Sequence, residues 1–141
     1  MKYLLIPRAS NESGPSTGHP PDEQSIIALM KYNEALHTAG VLIASEGLNP
    51  VAKSAHVKFS AGKGVVHDGP YAETKELIVG FYMIDVATVD EAAAWALRYP
   101  GGFGNDDVVE IRPLTGGSDI PPEVMKLIAS AAPEWVKSLA K

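Results

Sequence analysis

The densest group of chemically useful side chains lies between residues 67 and 76, which read HDGPYAETKE. A carboxylate there can act as a general acid or base, and Glu73 and Lys75 are spaced to share one face of an extended segment. The two side chains can form an acid/base couple over the mouth of a pocket, or can simply pair with each other at a charged corner. Tyr71 can supply a ring wall or a phenolic hydrogen-bond donor.

Asp68 can serve either a structural or a catalytic role. A carboxylate directly before the Gly69-Pro70 dipeptide can accept backbone N–H bonds and hold a turn. Its neighbour His67 points to the opposite face of a continuing strand, so the two side chains do not form a dyad unless the strand breaks at Gly69. We expect the stretch to be a corner first and the rim of a pocket second.

The first predicted helix contributes two polar candidates, Asn33 and His37. At 100° per residue they fall inside an apolar stripe, which is formed by Ile26, Leu29, Met30 and Leu36. Buried polar groups need partners. Asn33 can bind a ligand in a cavity between helix and sheet, with His37 transferring protons deeper in that cavity. Alternatively, Asn33 bonds to backbone and His37 complements the negative end of the helix dipole.

Composition and charge exclude several function classes. The 141 residues carry a formal net charge of −5 without a basic cluster, which argues against a nucleic-acid partner. The absence of cysteine excludes disulfides, thiolate chemistry, iron–sulfur clusters and cysteine-based zinc sites. The histidines, at positions 19, 37, 56 and 67, show no metal-ligand spacing, and GGFGND lacks the strand-before-helix context of a dinucleotide site. We therefore expect no metal and no cofactor.

The secondary-structure elements that position these side chains are predicted from hydrophobic periodicity and from the Gly, Pro and capping residues between them. Strand KYLLI precedes a long loop over 10–21, and a helix then runs from the cap Asp22 to about Ala39. Strand VLIASEG, a hairpin of AHVKF and VVH, and the apolar strand LIVGFYMIDV follow. A helix capped by Thr88 and Glu91, the strand VVEIRPL and a C-terminal helix broken at Pro133 complete the chain. This order predicts an α+β, ferredoxin-like fold built from two β-α-β units.

The strands YLLI and LIVGFYMIDV predict a quaternary arrangement as well. Neither alternates apolar with polar residues, so both faces of the sheet must be dry. Because the two main helices can cover only one face, sheet-to-sheet packing into a homodimer is the economical solution. The apolar run at the start of the chain is too short for a signal peptide or a membrane span, which predicts a cytoplasmic protein with no membrane partner.

Four stretches of the chain resemble the YCII-related family, in the branch marked by a DGPF motif. They read MKYLL, KYNEALHTAGVLIASEGLNP, DGPYAETKELIVGFYMIDV and EIRPL, with Tyr71 in place of the motif's phenylalanine. The resemblance covers residues 1–114 and implies a ferredoxin-like dimeric α/β barrel, with 115–141 as a helical extension packing on the same domain. The better studied members carry a helix histidine that aligns near Leu29 or Met30, so their proposed His–Asp mechanism is not carried over.

The resemblance also implies a function class, because some relatives with this fold act without a cofactor on small aromatic or lactone compounds. The first hypothesis is accordingly a cofactor-independent lyase or isomerase, with proton transfer by Asp68, Glu73 or His37. In that hypothesis the substrate is bound by Asn33, Lys75 and Tyr71. The alternative is a non-catalytic dimer with a small-ligand-binding or regulatory role. A pocket carboxylic acid with a strongly raised pKa would favour the enzyme.

Overall fold

The structure is a computed structural model that describes residues 1–10, 22–49, 55–68, 76–101 and 108–140. Its strands are β1 (Lys2–Ser10), β2 (Leu42–Gly47), β3 (Ala55–Ser60), β4 (Lys63–Asp68), β5 (Glu76–Ile78), β6 (Gly80–Asp85) and β7 (Val108–Pro113). Its α-helices are α1 (Glu23–Thr38), α2 (Val89–Leu97), α3 (Pro122–Ala131) and α4 (Pro133–Val136). Short 3₁₀ turns span Gly117–Asp119 and Lys137–Ala140.

The main sheet is antiparallel and has β1 at its centre. β1 pairs with β6 on one side and with β7 on the other, and β2 lies outside β6. The spatial order β2-β6-β1-β7, with one helix after β1 and one after β6, is the ferredoxin-like α+β arrangement and confirms the predicted fold class. The β3–β4 hairpin forms a separate two-stranded sheet.

The long apolar strand predicted over 77–86 is divided into β5 and β6, which is a correction to the prediction. Arg8 pairs with Ile78 whereas Leu5 pairs with Tyr82, so the register against β1 shifts by one residue between the two strands. At Gly80 an added Cβ would lie 2.7 Å from the carbonyl oxygen of Glu46. The backbones of β2 and β6 therefore approach too closely there for any side chain.

The helices cover one face of the sheet and enclose the core. β6 alternates buried and half-buried positions along its length, as expected for a strand with one covered face. The fully enclosed cluster draws on β1, β6, α1 and α2, and it consists of Tyr3, Leu5, Tyr32, Leu36, Tyr82, Ile84, Val86 and Ala92. Sequence periodicity predicted a core between helices and sheet, and the structure confirms it.

The face of the sheet away from the helices carries both apolar and charged residues. By the pairing register, Leu4 shares this face with Met83 on β6 and with Arg112 on β7. Leu4 and Met83 are half-buried. Ile78 and Val108 are exposed on the same face, opposite each other across Arg8. We call this surface the open face; its apolar content agrees with the sequence prediction that both faces need covering.

Charged residues on the open face form a small network. The guanidinium Nη2 of Arg8 donates to Glu110 Oε2, and Arg112 Nε lies 3.6 Å from Glu110 Oε1. The side chains of Arg8 and Glu110 are about one third exposed, at 32% and 30%. Two arginines thus share one carboxylate beside the apolar residues.

The first helix begins and ends where predicted, but its buried side differs from the prediction. Asp22 Oδ1 accepts from the Ser25 backbone N–H at 2.7 Å, and the helix ends one residue before the C-cap Ala39. Ile26 and Met30 are 45% and 50% exposed, whereas the two buried residues of α1 are Tyr32 and Leu36. The predicted stripe counted aliphatic residues only. The core instead accepts a tyrosine ring, which turns the helix away from Ile26 and Met30.

The second helix and the C-terminal region agree with the sequence analysis. Thr88 Oγ1 accepts from the Glu91 N–H, and the Glu91 carboxylate accepts from the Ala87 N–H, one residue before the cap. The C-terminal helices are separated at Ala132, as the proline at 133 predicts. The domain boundary near residue 114 stays a prediction. Among the described residues, no helix is both long enough and apolar enough to cross a membrane.

Candidate functional site

Asn33 is the predicted site residue that the structure places between helix and sheet. It lies next to the buried Tyr32 on α1 and is half-buried. The hydroxyl of Tyr82 on β6 donates to Asn33 Oδ1 at 2.7 Å. Tyr82 points to the helix side of the sheet because it pairs with the core residue Leu5. This side-chain hydrogen bond joins α1 to the sheet inside an otherwise apolar layer.

Four aromatic side chains surround that hydrogen bond, and we call Tyr32, Tyr82, Tyr99 and Trp95 the aromatic cluster. Tyr32 packs edge-on against the rings of Tyr82, Tyr99 and Trp95, at centroid distances of 5.4, 5.6 and 6.4 Å. Tyr82 also lies 6.1 Å from Tyr99. Edge-to-face contacts at these distances are favourable, so the rings hold one another in place.

A hydrogen bond and a cation–π contact connect the cluster to the second helix and its C-cap. The Tyr32 hydroxyl donates to the backbone carbonyl of Trp95 at 2.7 Å. The guanidinium of Arg98 lies 4.3 Å from the centre of the Trp95 ring, within cation–π range. α1, α2 and β6 are therefore tied together through aromatic side chains that also carry hydrogen-bonding groups.

Burial keeps the phenols of the cluster protonated. Desolvation raises the pKa of Tyr32 to about 12, with Arg98 partly opposing the rise. Burial raises the pKa of Tyr82 further still, and the neighbouring Tyr99 and Tyr32 add to that rise. The pKa of Tyr99 is raised by burial as well. At neutral pH these hydroxyls are therefore neutral hydrogen-bond donors and not general bases.

The hydrogen bond from Tyr82 decides which group Asn33 presents to a ligand. An asparagine side chain has one acceptor oxygen and an amide nitrogen with two donors. Because Tyr82 engages the oxygen, the amide nitrogen keeps its two donors for other partners.

The other predicted site residues are not assembled around Asn33 in the described part of the chain. His37 is exposed in the last turn of α1. Asp68 is exposed at the end of β4, opposite Ala55. His67 lies opposite His56 in the same hairpin. Because His67 and Asp68 are consecutive residues of a strand, their side chains lie on opposite faces and form no dyad, as predicted.

Three predicted residues, Tyr71, Glu73 and Lys75, lie outside the described residues. The role of Glu73 and Lys75 as an acid/base couple at the pocket rim, and that of Tyr71 as a ring wall, therefore stay predictions. What the structure adds is the position of their neighbour Asp68, with which β4 ends. Within the described ranges, no three His, Asp or Glu side chains come together as a metal site.

Sequence reasoning missed Tyr82, Tyr32 and Tyr99. A signal was present, because Tyr82 interrupts an apolar run and a buried tyrosine hydroxyl usually requires a partner. Asn33 was correctly identified as a polar residue on the packed side of the first helix. The identity of its partner could not be found from spacing, since the two residues are 49 positions apart.

Comparison with known proteins agrees with this architecture. The family model for the YCII-related domain matches residues 1–116, which contain all seven strands and both main helices. An uncharacterised protein of Rhizobium meliloti (strain 1021) is 38% identical over 93 residues, covering 66% of this chain and 75% of the relative. With the ferredoxin-like sheet, the matched length and this identity in agreement, the chain belongs to the YCII-related family.

Proposed function

We propose that the protein binds a small organic molecule with a carbonyl or carboxylate on a flat apolar body, of the aromatic-acid or lactone type. The observation that carries the proposal is the hydrogen bond from Tyr82 to Asn33, which occupies the asparagine oxygen and leaves the amide nitrogen as the donor for a ligand. The half-buried rings of Trp95 and Tyr99 would provide an apolar wall. Small-molecule sites commonly combine such a wall with a few fixed polar groups.

Acid/base catalysis on the bound molecule, as a cofactor-independent lyase or isomerase, is the second candidate function. It is favoured by the position of Asp68 at the end of β4, immediately before the segment with Tyr71, Glu73 and Lys75. Tyr82 is protonated at neutral pH, as any tyrosine is, and the rise of its pKa through burial makes it a still poorer proton acceptor. A proton acceptor would therefore be a carboxylate, Asp68 or Glu73, or the imidazole of His37.

We also propose that the protein works as a cytoplasmic homodimer joined through the open face. Half-buried Leu4 and Met83 and exposed Ile78 and Val108 make part of that face apolar, and exposed apolar surface of this kind marks association sites. In a two-fold dimer the same patch meets itself. The Arg8–Glu110 pair would then lie within the buried patch, with Arg8 between Ile78 and Val108, and help to set the register of the two sheets.

The ligand proposal is tested by a thermal-shift screen of small aromatic acids and lactones. A ligand that binds the folded state raises its melting temperature in a concentration-dependent way. Ligands that stabilise the wild type should stabilise the control Glu34→Gln equally, because Glu34 is exposed on the same helix. They should stabilise Asn33→Ala much less. Equal binding by Asn33→Ala would contradict the assignment.

The same ligands separate the binder from the enzyme. As proposed rim residues, Glu73 and Lys75 should affect ligand binding more than stability when they are changed to Gln and Met, because surface ion pairs in general contribute about 1 kcal/mol or less. Incubation of each ligand with wild-type protein, followed by mass spectrometry, reports turnover. A product that disappears with Asp68→Asn or Glu73→Gln supports catalysis, and unchanged ligand supports a binding protein.

The dimer is tested by light scattering at micromolar concentration. Wild type should give about twice the 14.9 kDa chain mass. Met83→Glu should give monomer, because it places a charge in the centre of the open face. The control Val89→Glu, at an exposed site on α2, should remain dimeric. A folded, monomeric wild type would refute the proposal without affecting the ligand site.

A further inference from the structure

The β3–β4 hairpin places two histidines directly opposite each other. His56 on β3 pairs with His67 on β4, and their ring centroids are 5.6 Å apart with the planes inclined at 55°. Both residues are exposed. We call them the histidine pair; the ligand site proposed above does not use them.

The turn of the hairpin accounts for this pairing. The loop consists of Ala61 and Gly62, both in the left-handed region, with φ values of 51° and 79°. A two-residue loop with two positive φ values twists in the same sense as the strands and sets the register of the whole hairpin. The ladder continues without a shift from Ser60–Lys63 to Ala55–Asp68, and the histidine pair is the next-to-last rung.

We propose that the histidine pair chelates a divalent transition-metal ion of the kind that prefers nitrogen ligands, such as Zn²⁺, Ni²⁺ or Cu²⁺. A metal–nitrogen distance of about 2.0–2.1 Å at a tetrahedral angle separates the centres of two coordinated imidazoles by about 5 Å. The observed 5.6 Å is close to that separation, and both side chains are exposed. Water would complete the coordination, so the ion is exchangeable, unlike structural zinc with four protein ligands.

The surroundings of the pair determine which metals fit. From the register, the same face of the hairpin carries Lys58, Val65 and Lys63, whereas Asp68 lies on the other face. Within residues 55–68, this face of the hairpin carries the two imidazoles and no carboxylate. Mg²⁺ and Ca²⁺ prefer oxygen ligands and should not bind. The exposed lysines lower the affinity for any cation, which again favours an exchangeable ion.

A metal bound to the histidine pair would stabilise the end of the hairpin that is farthest from the turn. An isolated two-stranded hairpin is marginally stable in water, and every residue of β3 and β4 is exposed. A chelate formed only when the strands are paired stabilises the paired state. Because the pair is one rung from Asp68, the ion would hold the end of β4 directly before residues 69–75.

The test uses the full-length chain without a histidine tag, stripped of metal and dialysed against Zn²⁺ or Ni²⁺ at about pH 8, where histidine side chains are neutral. The variants are His56→Asn and His67→Asn, with His37→Asn as a control because His37 is exposed on α1. Loss of a residue that only orients a metal ligand costs about 10–100-fold in affinity, so loss of either ligand should weaken binding at least about tenfold. His37→Asn should bind as wild type does.

A second measurement does not depend on the variants folding. Substoichiometric Ni²⁺ or Cu²⁺ added to wild type should broaden the amide NMR signals of β3 and β4 first, and acidification to about pH 5 should reverse the effect through proton competition. Equal binding by the wild type and both hairpin variants would overturn the proposal. So would broadening centred elsewhere, binding of Mg²⁺ in place of Zn²⁺, or no binding at millimolar Zn²⁺.

Discussion

The hydrogen bond between Tyr82 and Asn33 predicts an asymmetry between two substitutions that remove it. Asn33→Ala leaves the hydroxyl of a buried tyrosine without its acceptor, and an unpaired buried donor costs about 1–3 kcal/mol. Tyr82→Phe removes the donor and leaves an oxygen on half-buried Asn33, which water can reach. That substitution should cost only the net value of one hydrogen bond, about 1 kcal/mol.

Urea unfolding followed by circular dichroism measures both costs, and a double-mutant cycle isolates the contact. The cycle also cancels the gain in helix propensity from placing alanine in α1, which amounts to several tenths of a kcal/mol. In the Tyr82→Phe background, Asn33→Ala should cost less than in the wild type, because no buried donor is then left unpaired. The denaturant slope should not change.

The outcome that refutes this reasoning is a coupling energy within about 0.5 kcal/mol of zero, the range found for independent sites. It would mean that the two side chains are solvated separately and that Tyr82 does not orient Asn33. The binding proposal would then lose the observation on which it rests, even if ligands were found by screening.

Three further predictions concern other parts of the fold. The free energy of unfolding should fall as pH rises between about 10 and about 12, because the unfolded chain ionises its tyrosines there while Tyr32 and Tyr82 hold their protons. Tyrosinate absorbance reports the ionisation, and the urea midpoint reports the loss of stability. Gly80→Ala should destabilise by about 1–3 kcal/mol, since the new Cβ meets the Glu46 carbonyl at 2.7 Å; an unchanged urea midpoint would contradict the close approach. Ala61→Gly should stabilise the hairpin by up to about 1 kcal/mol, because alanine at φ 51° is strained; slower amide exchange in β3 and β4 is the measurement.

Much of the fold was predictable because its signals are local. The cap at Asp22, the end of α1 near residue 40 and the tight turn at Ala61-Gly62 each depend on a few consecutive residues. The spacing of these signals sets the element order, and the element order predicts the ferredoxin-like sheet. Helical periodicity placed both Asn33 and His37 on the packed side of α1, but only Asn33 is half-buried there, and His37 is exposed.

The burial of individual residues was less predictable. Ile26 and Met30 were expected on the packed side of α1, yet the helix is turned so that Tyr32 enters the core and both are about half exposed. Helical periodicity gives the relative angles of residues but not the absolute rotation of the helix. That rotation follows from the shapes that meet it, here the rings of Tyr82, Trp95 and Tyr99.

The sequence by itself determined the element order, the helix caps and the hairpin turn. Only the tertiary structure decided that Tyr82 is the partner of Asn33, that Gly80 lies against Glu46, and that His56 faces His67. The physical reason is that each of these contacts joins separate elements. Their geometry depends on strand register and helix rotation, which are set by packing the whole chain and not by the neighbours of any one residue.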